Sequence, residues 1–169
     1  MAIKTYAELT TAFADNTTGD ITPQDLRDFL DSTRVYGSIV IENGSTAQTF
    51  VSTTPELLTE WTGNGLSNGV TPAFATDKIT IDNTGIYAVD FFCSFEGANP
   101  NVNVFELRID GVATGLRFQR KTTSTDVGSG SFHGIISLTA AEELTVWGTI
   151  NGGTTLTVIE AALSVYRIT

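Results

Sequence analysis

His133 is the single histidine of the 169-residue chain, so general acid–base or triad chemistry would have to run through it. Ser131 and Asp126 lie close to it in sequence and complete the residue set of a nucleophilic triad. The surrounding Gly128-Ser129-Gly130-Ser131-Phe132 is not a Gly-x-Ser-x-Gly elbow, however, and no helical pattern follows it. His133 therefore reads as a residue on a sheet face. Cys93 sits mid-strand among Phe and Val and reads as a buried, inert thiol. One Cys and one His leave no disulfide framework and no zinc site of Cys/His ligands. Asp15, Asn16 and Asp20 bring oxygen ligands together around Gly19, but at a spacing that makes a turn and a cap rather than a calcium loop. The glycine runs lack a following Lys-Ser/Thr and cradle no phosphate. Arg117, Arg120 and Lys121 form the basic cluster of the chain, a candidate contact for an acidic partner or a neighbouring subunit, or else a solvated strand end. The acidic residues scatter, and no two of them can be assigned as the paired carboxylates of a glycan hydrolase. The expectation is a protein that is not an enzyme and that uses no cofactor and no metal.

The elements that position these residues follow from composition and periodicity. The formal charge is −10, with 9 basic and 19 acidic residues, which argues against a nucleic-acid binder. Hydrophobic residues make up 41%, ten of them Phe, enough to fill one core. No apolar run approaches the roughly 18 residues that cross a bilayer, and the start Met1-Ala2-Ile3-Lys4-Thr5-Tyr6 lacks the apolar stretch of a secretory signal. Thr is roughly one residue in six and Gly numbers 16, a bias toward short strands and marked turns.

The first thirty-odd residues depart from that bias. Thr5 and Glu8 form a capping box that predicts a helix over Tyr6 to Phe13. After the polar turn Asp15 to Asp20, Thr22 is a good N-cap, Pro23 suits the first helical position and Asp25 places negative charge in the first turn. Leu26, Phe29 and Leu30 then recur at helical spacing on an acidic helix that should end near Ser32 to Arg34. Helices this short are marginal alone. The stripe must dock on the rest of the chain, on a sister subunit or on another protein.

From Val35 onward the period changes to two. Tyr87, Val89, Phe91, Cys93 and Phe95 line one face of a long strand, with Ile86, Ala88, Asp90, Phe92 and Ser94 on the other. Phe105, Leu107 and Ile109 alternate into the hairpin turn Asp110-Gly111. The return strand places Val112, Thr114, Leu116 and Phe118 on one face and Arg117, Gln119 and Lys121 on the other. After a polar Thr/Ser/Gly stretch come strands over Phe132 to Leu138, Leu144 to Ile150 and Leu156 to Ile168, with the turn Asn151-Gly152-Gly153 before the last. Strands at turn-bounded intervals without intervening helices predict an antiparallel sandwich or jelly roll. Tyr166, Ile168 and Phe92 are apolar on the face away from the core, and a symmetric oligomer would cover them.

The run Ile79-Thr80-Ile81-Asp82-Asn83-Thr84-Gly85-Ile86-Tyr87-Ala88-Val89 resembles the Gly-x-Tyr strand of the globular complement and tumour-necrosis-factor-like jelly rolls. Ser137 to Val146, with the acidic pair Glu142-Glu143, and the ending Ala162-Leu163-Ser164-Val165-Tyr166-Arg167-Ile168 are similar to that family's later strands. The resemblance spans about residues 35–169 and implies a homotrimer. Residues 13–32, with the core Asp15-Asn16-Thr17-Thr18-Gly19-Asp20-Ile21-Thr22-Pro23-Gln24-Asp25-Leu26-Arg27-Asp28, resemble a short module of tailed-bacteriophage virion proteins.

Together these readings divide the chain into a two-helix virion-attachment module, residues 1–34, and a jelly-roll β-sandwich domain, residues 35–169. They imply a phage virion protein, a trimeric capsid decoration, cement or head-fibre protein on the virion surface. Leu26, Phe29 and Leu30 would attach it to the major capsid protein or another virion protein, and Phe92, Tyr166 and Ile168 would lie at the trimer interface. The alternative is a tail-fibre or receptor-binding component whose loops, Asn99 to Asn103 and Thr122 to Ser131, contact a host surface glycan or protein. Against it, no heptads, collagen repeats or β-helix periods supply a shaft.

Overall fold

A computed structural model describes residues 7, 8, 11, 21–50, 54–97, 101–123, 127–151 and 154–168. Among these, one α-helix, α1 (Pro23–Ser32), precedes twelve strands: β1 (Tyr36–Ile41), β2 (Ala47–Phe50), β3 (Glu56–Leu57), β4 (Gly63–Asn64), β5 (Val70–Ala73), β6 (Lys78–Ile81), β7 (Gly85–Gly97), β8 (Val102–Ile109), β9 (Val112–Lys121), β10 (Val127–Leu138), β11 (Glu143–Ile150) and β12 (Thr154–Arg167). Of the two predicted helices, α1 is described throughout, and Ala7, Glu8 and Thr11 of the first are helical. The helix predicted over Tyr6 to Phe13 lies outside the described residues apart from Ala7, Glu8 and Thr11. So do the turn Asp15 to Asp20, Asp126 and the glycines of the Asn151-Gly152-Gly153 turn.

The strands form two antiparallel sheets. One runs β10–β7–β12–β1–β4, with β2 also on β12; the other runs β5–β6–β11–β8–β9, with β3 also on β11. The alternation read along β7 is the alternation observed: Tyr87, Val89, Phe91, Cys93 and Phe95 are buried. They meet Phe105 and Leu107 of β8, Leu144 and Val146 of β11, and Leu163 and Val165 of β12 in one core. Aromatic rings fill its centre. Phe91 lies 5.1 Å from Phe132 and 6.0 Å from Phe105, and Phe105 stacks on Phe118 at 5.4 Å between centroids, in the offset and tilted arrangements that ring quadrupoles favour.

Two turns behave as their residues dictate. Asp110 and Gly111 both take positive φ, 49° and 79°, which is the mirror-image turn that matches strand twist in a tight hairpin. Asn43 also takes positive φ, 52°. The Asn43-Gly44 turn does not fold β2 back on β1, however. Both strands pair with β12, β1 along residues 161–166 and β2 along residues 154–157. Between them Gly44 N donates to Ile159 O at 2.8 Å, where the register of β12 slips between Val158 and Glu160.

One stretch corrects the sequence reading. Residues 127–131, taken for part of a polar connection, are strand and extend β10 to an unbroken twelve-residue ladder with β7. The Gly-Ser alternation has a packing cause. Gly128 and Gly130 face inward against the rings of Phe95 and Phe118; a Cβ on Gly130 would stand 2.2 Å from the Phe118 ring. The serines face out. A run that looks like a loop by composition is a strand whose inward side is filled by its neighbours' rings.

Candidate functional site

Helix α1 is capped as its first residues require. Thr22 Oγ1 accepts from Asp25 N at 3.2 Å, and Thr22 N donates to Asp25 Oδ2 at 2.9 Å, closing a capping box with Pro23 just inside it. Leu26, Phe29 and Leu30 do share one side of this helix, and all three are exposed. Asp28 and Ser32 are buried instead: Gln24 Nε2 donates to Asp28 Oδ1 at 2.6 Å and Ser32 Oγ to Asp28 O at 2.6 Å. Along α1 the polar Asp28 and Ser32 are thus less exposed than Leu26 and Leu30. The chain leaving the helix is held firmly. Asn68 Nδ2 donates to Arg34 O at 2.7 Å, Arg167 N donates to Val35 O at 2.9 Å, and Tyr36 and Asn68 exchange both backbone hydrogen bonds at 2.8 and 2.9 Å.

A second exposed surface is the outer face of β10–β7–β12–β1. The ladders set its residues in rows that cross the strands. Ile135, Ala88, Tyr166 and Tyr36 stand side by side in one row. The next row is His133, Asp90, Ser164 and Ser38, and the next is Ser131, Phe92, Ala162 and Val40. At the other end Ile168 N donates to Ile86 O at 2.7 Å, which continues the face to Ser137, Ile86 and Ile168. Phe92 is 52% exposed and Ile135 63%, so these side chains are not covered by the chain's own core. Phe92, Tyr166 and Ile168, singled out in the sequence, fall on this one face. Tyr36 and Ile135 were missed. Their outward parity is readable strand by strand, but only the register shows that they border Tyr166 and Ala88.

Within these rows Asp90 is the one acidic residue, and it is partnered. Its Oδ1 lies 2.6 Å from His133 Nδ1, with both side chains about half exposed. Sequence proximity pointed to Ser131 and Asp126. Ser131 lies on the same face two positions along, but no hydroxyl hydrogen bond to the ring occurs among the described residues, and Asp126 lies outside them. The imidazole is therefore oriented by a carboxylate 43 positions away, and strand pairing, not sequence spacing, brings the two together.

The basic cluster does not hold together. Arg117 and Lys121 lie on the outer face of the second sheet, opposite Glu106 and Val102, whereas Arg120 lies opposite Asn103 on the other side of β9. Strand alternation separates residues that adjacency in sequence had grouped. The Glu106 carboxylate is engaged by Arg108, at 2.8 Å from Nε and 2.6 Å from Nη2, and Arg108 lies 4.6 Å over the Trp147 ring.

Burial pushes the Cys93 thiol well above the ordinary thiol range, which keeps it protonated and unreactive. Burial likewise raises the Tyr87 phenol, whose hydroxyl donates to Asn83 O at 2.5 Å. A cleft of about 490 Å³ beside the Asp110-Gly111 turn is walled by Ile109, Val112 and Ile136 and carries Asp110 and Glu142. Both carboxylates already accept backbone hydrogen bonds, from Glu143 N at 2.9 Å and Thr139 N at 2.8 Å. They act as turn caps.

No protein-family model matches the chain, and no curated protein matches it. Solved structures do. The globular domain of zebrafish complement 1qA protein superposes with a TM-score of 0.60 at 14% identity, over 80% of this chain and 98% of that one. The Eiger TNF of S. frugiperda superposes with a TM-score of 0.59 at 11% identity, over 81% of this chain and 94% of that one. The fold is therefore the complement and tumour-necrosis-factor-like jelly roll that the strand motifs resemble.

Proposed function

We propose that this protein is a structural component of a tailed-phage virion, a homotrimeric decoration, cement or head-fibre protein that acts by binding rather than by catalysis. The observation that carries the reading is the outward apolar stripe of α1. Leu26, Phe29 and Leu30 are exposed on a helix whose exit is fixed to the sandwich by Asn68 and Arg167. A short helix held at a defined exit, with Leu26 and Leu30 exposed on one side, is suited to seat in a groove of another protein. The resemblance of residues 13–32 to a phage virion module supports the major capsid protein or another virion protein as the partner. Attachment at three such helices gains effective concentration without new contacts.

The outer face of β10–β7–β12–β1 supports self-association. The chain carries a net charge of −10, so two copies repel over most of their surface. Three of the four rows named above are mainly apolar, and the one carboxylate within those rows, Asp90, is paired within the subunit. A like-charged copy can approach here at least electrostatic cost.

Gold-antibody labelling of intact virions, scored by electron microscopy, tests the proposal. Label spread over the head is the expected result. Label confined to the tail would replace it with the receptor-binding reading, and unlabelled virions would remove both.

A further inference from the structure

The pair formed by His133 and Asp90 occupies a particular place on the apolar face. The row containing Ile135, Ala88, Tyr166 and Tyr36 lies on one side of it, and the row containing Phe92, Ala162 and Val40 lies on the other. We infer that this pair makes self-association through the face tighten as the pH falls from about 8 to about 6, the range in which an imidazole gains its charge. The inference rests on reading the face as the meeting ground of identical subunits.

The surroundings isolate the pair. β7 contributes Asp90 itself, and its next acidic residue, Glu96, is opposite Val127 at the far end of the ladder. β12 contributes the neutral hydroxyls of Ser164 and Tyr166, with Glu160 two rows away opposite Ser94. β1 contributes Ser38 and Tyr36. The other strand packed on β10 is β9, whose Arg117 and Lys121 lie on the opposite outer face of the sandwich and whose Arg120 lies beside Asn103. The one lysine or arginine on β10, β7, β12 and β1, Arg167, stands opposite Tyr87 on the core side of the sheet, so no lysine or arginine lies in the outward rows beside Asp90.

The sign follows from what association does to the carboxylate. In the free subunit Asp90 is about half exposed, and water stabilises its charge whether or not His133 is protonated. A second copy seated on the flanking apolar rows removes that water. With a neutral imidazole, each subunit then brings an uncompensated negative charge into the contact, which is costly. With an imidazolium the pair is neutral overall and its hydrogen bond is charge-assisted. Association thus takes up protons at His133, and by linkage it strengthens as the pH falls. It weakens as the pH rises and the ring loses its proton.

The test uses the full chain. Sedimentation equilibrium, or subunit exchange between two fluorescently labelled pools if the complex is too tight to dilute apart, is measured at about pH 8 and about pH 6. The variants are His133→Gln, which keeps a hydrogen-bond donor for Asp90, and Phe92→Asp, each checked for fold by circular dichroism. The wild type should associate about tenfold or more tightly at the lower pH. His133→Gln should lose that dependence. An equal change in His133→Gln, or no change in the wild type, would overturn the inference and leave the interface reading standing. A wild type that is monomeric at both pH values, or a Phe92→Asp variant that stays assembled, would instead overturn the interface reading and the inference with it.

Discussion

Tyr166 of β12 stands directly opposite Tyr36 of β1 on the side of the sheet turned away from the core, and Ala88 stands at the other flank of Tyr166. Ala88 is 1% exposed although it faces outward, because larger neighbours, Ile135 and Tyr166, stand on both sides of it. Large apolar residues therefore lie together across four strands, where a sheet facing only solvent would alternate them with polar groups. Exposed apolar residues are common singly, but a contiguous set marks an interaction surface.

Phe92→Asp should convert the assembled protein to monomer. The substitution puts a second charge beside Asp90 and leaves the core untouched, since Phe92 is 52% exposed. Light scattering is expected to read about 54 kDa for the wild type, three times 18.0 kDa, and the monomer mass for the variant at micromolar concentration. Circular dichroism should be the same for both.

Gly130→Ala should destabilise the sandwich. Its Cβ would sit 2.2 Å from the Phe118 ring, which itself packs on Phe91 and Phe105 and has little room to retreat. Overpacking of this kind costs about 1–3 kcal/mol, and thermal melting should fall by about 2–4 °C for each kcal/mol at this chain length. The second substitution Phe118→Leu should recover part of the loss in Gly130→Ala. An unchanged melting temperature in the single variant would mean that β10 is less tightly seated than described.

Asp77 and Glu60 offer a pH test. Burial, and secondarily the Glu60 charge, raise the Asp77 carboxyl above its ordinary value. A carboxyl raised on folding favours the protonated form, so its contribution is greatest at low pH and is lost as the pH rises through the folded-state value. At pH 7 the ionised Asp77 thus opposes folding. Asp77→Asn removes that charge, and Asn tolerates the left-handed φ of 60° found there. The melting temperature should rise at pH 7 by about 1 °C, a small effect because the site is partly solvated. The gain should vanish near pH 3.

Much of the sandwich is legible in the sequence, because burial on one face of a strand imposes period two on the residues themselves. Tyr87 to Phe95 and Phe105 to Ile109 announce their faces, and Asp110-Gly111 its turn. What requires the partner strand is not legible. Gly128 and Gly130 look like loop residues until the Phe95 and Phe118 rings are placed against them. Arg117, Arg120 and Lys121 look like a cluster until β9 turns Arg120 to the other side. The pairing of His133 with Asp90 depends on the β10–β7 register alone. Along α1 the capping residues and the apolar stripe are both readable, whereas the burial of Asp28 and Ser32, with the stripe left outward, is not.

The proposed attachment role of α1 is tested most directly by counting copies of the protein per purified virion, by quantitative mass spectrometry, for wild type and for the double variant Leu26→Asp, Leu30→Asp. Both positions are exposed, so folding and subunit mass should be unaffected beyond about 0.5 kcal/mol. The account predicts that the variant falls to a tenth or less of wild-type occupancy while remaining a folded trimer in solution. Equal occupancy in the two virion preparations would contradict it.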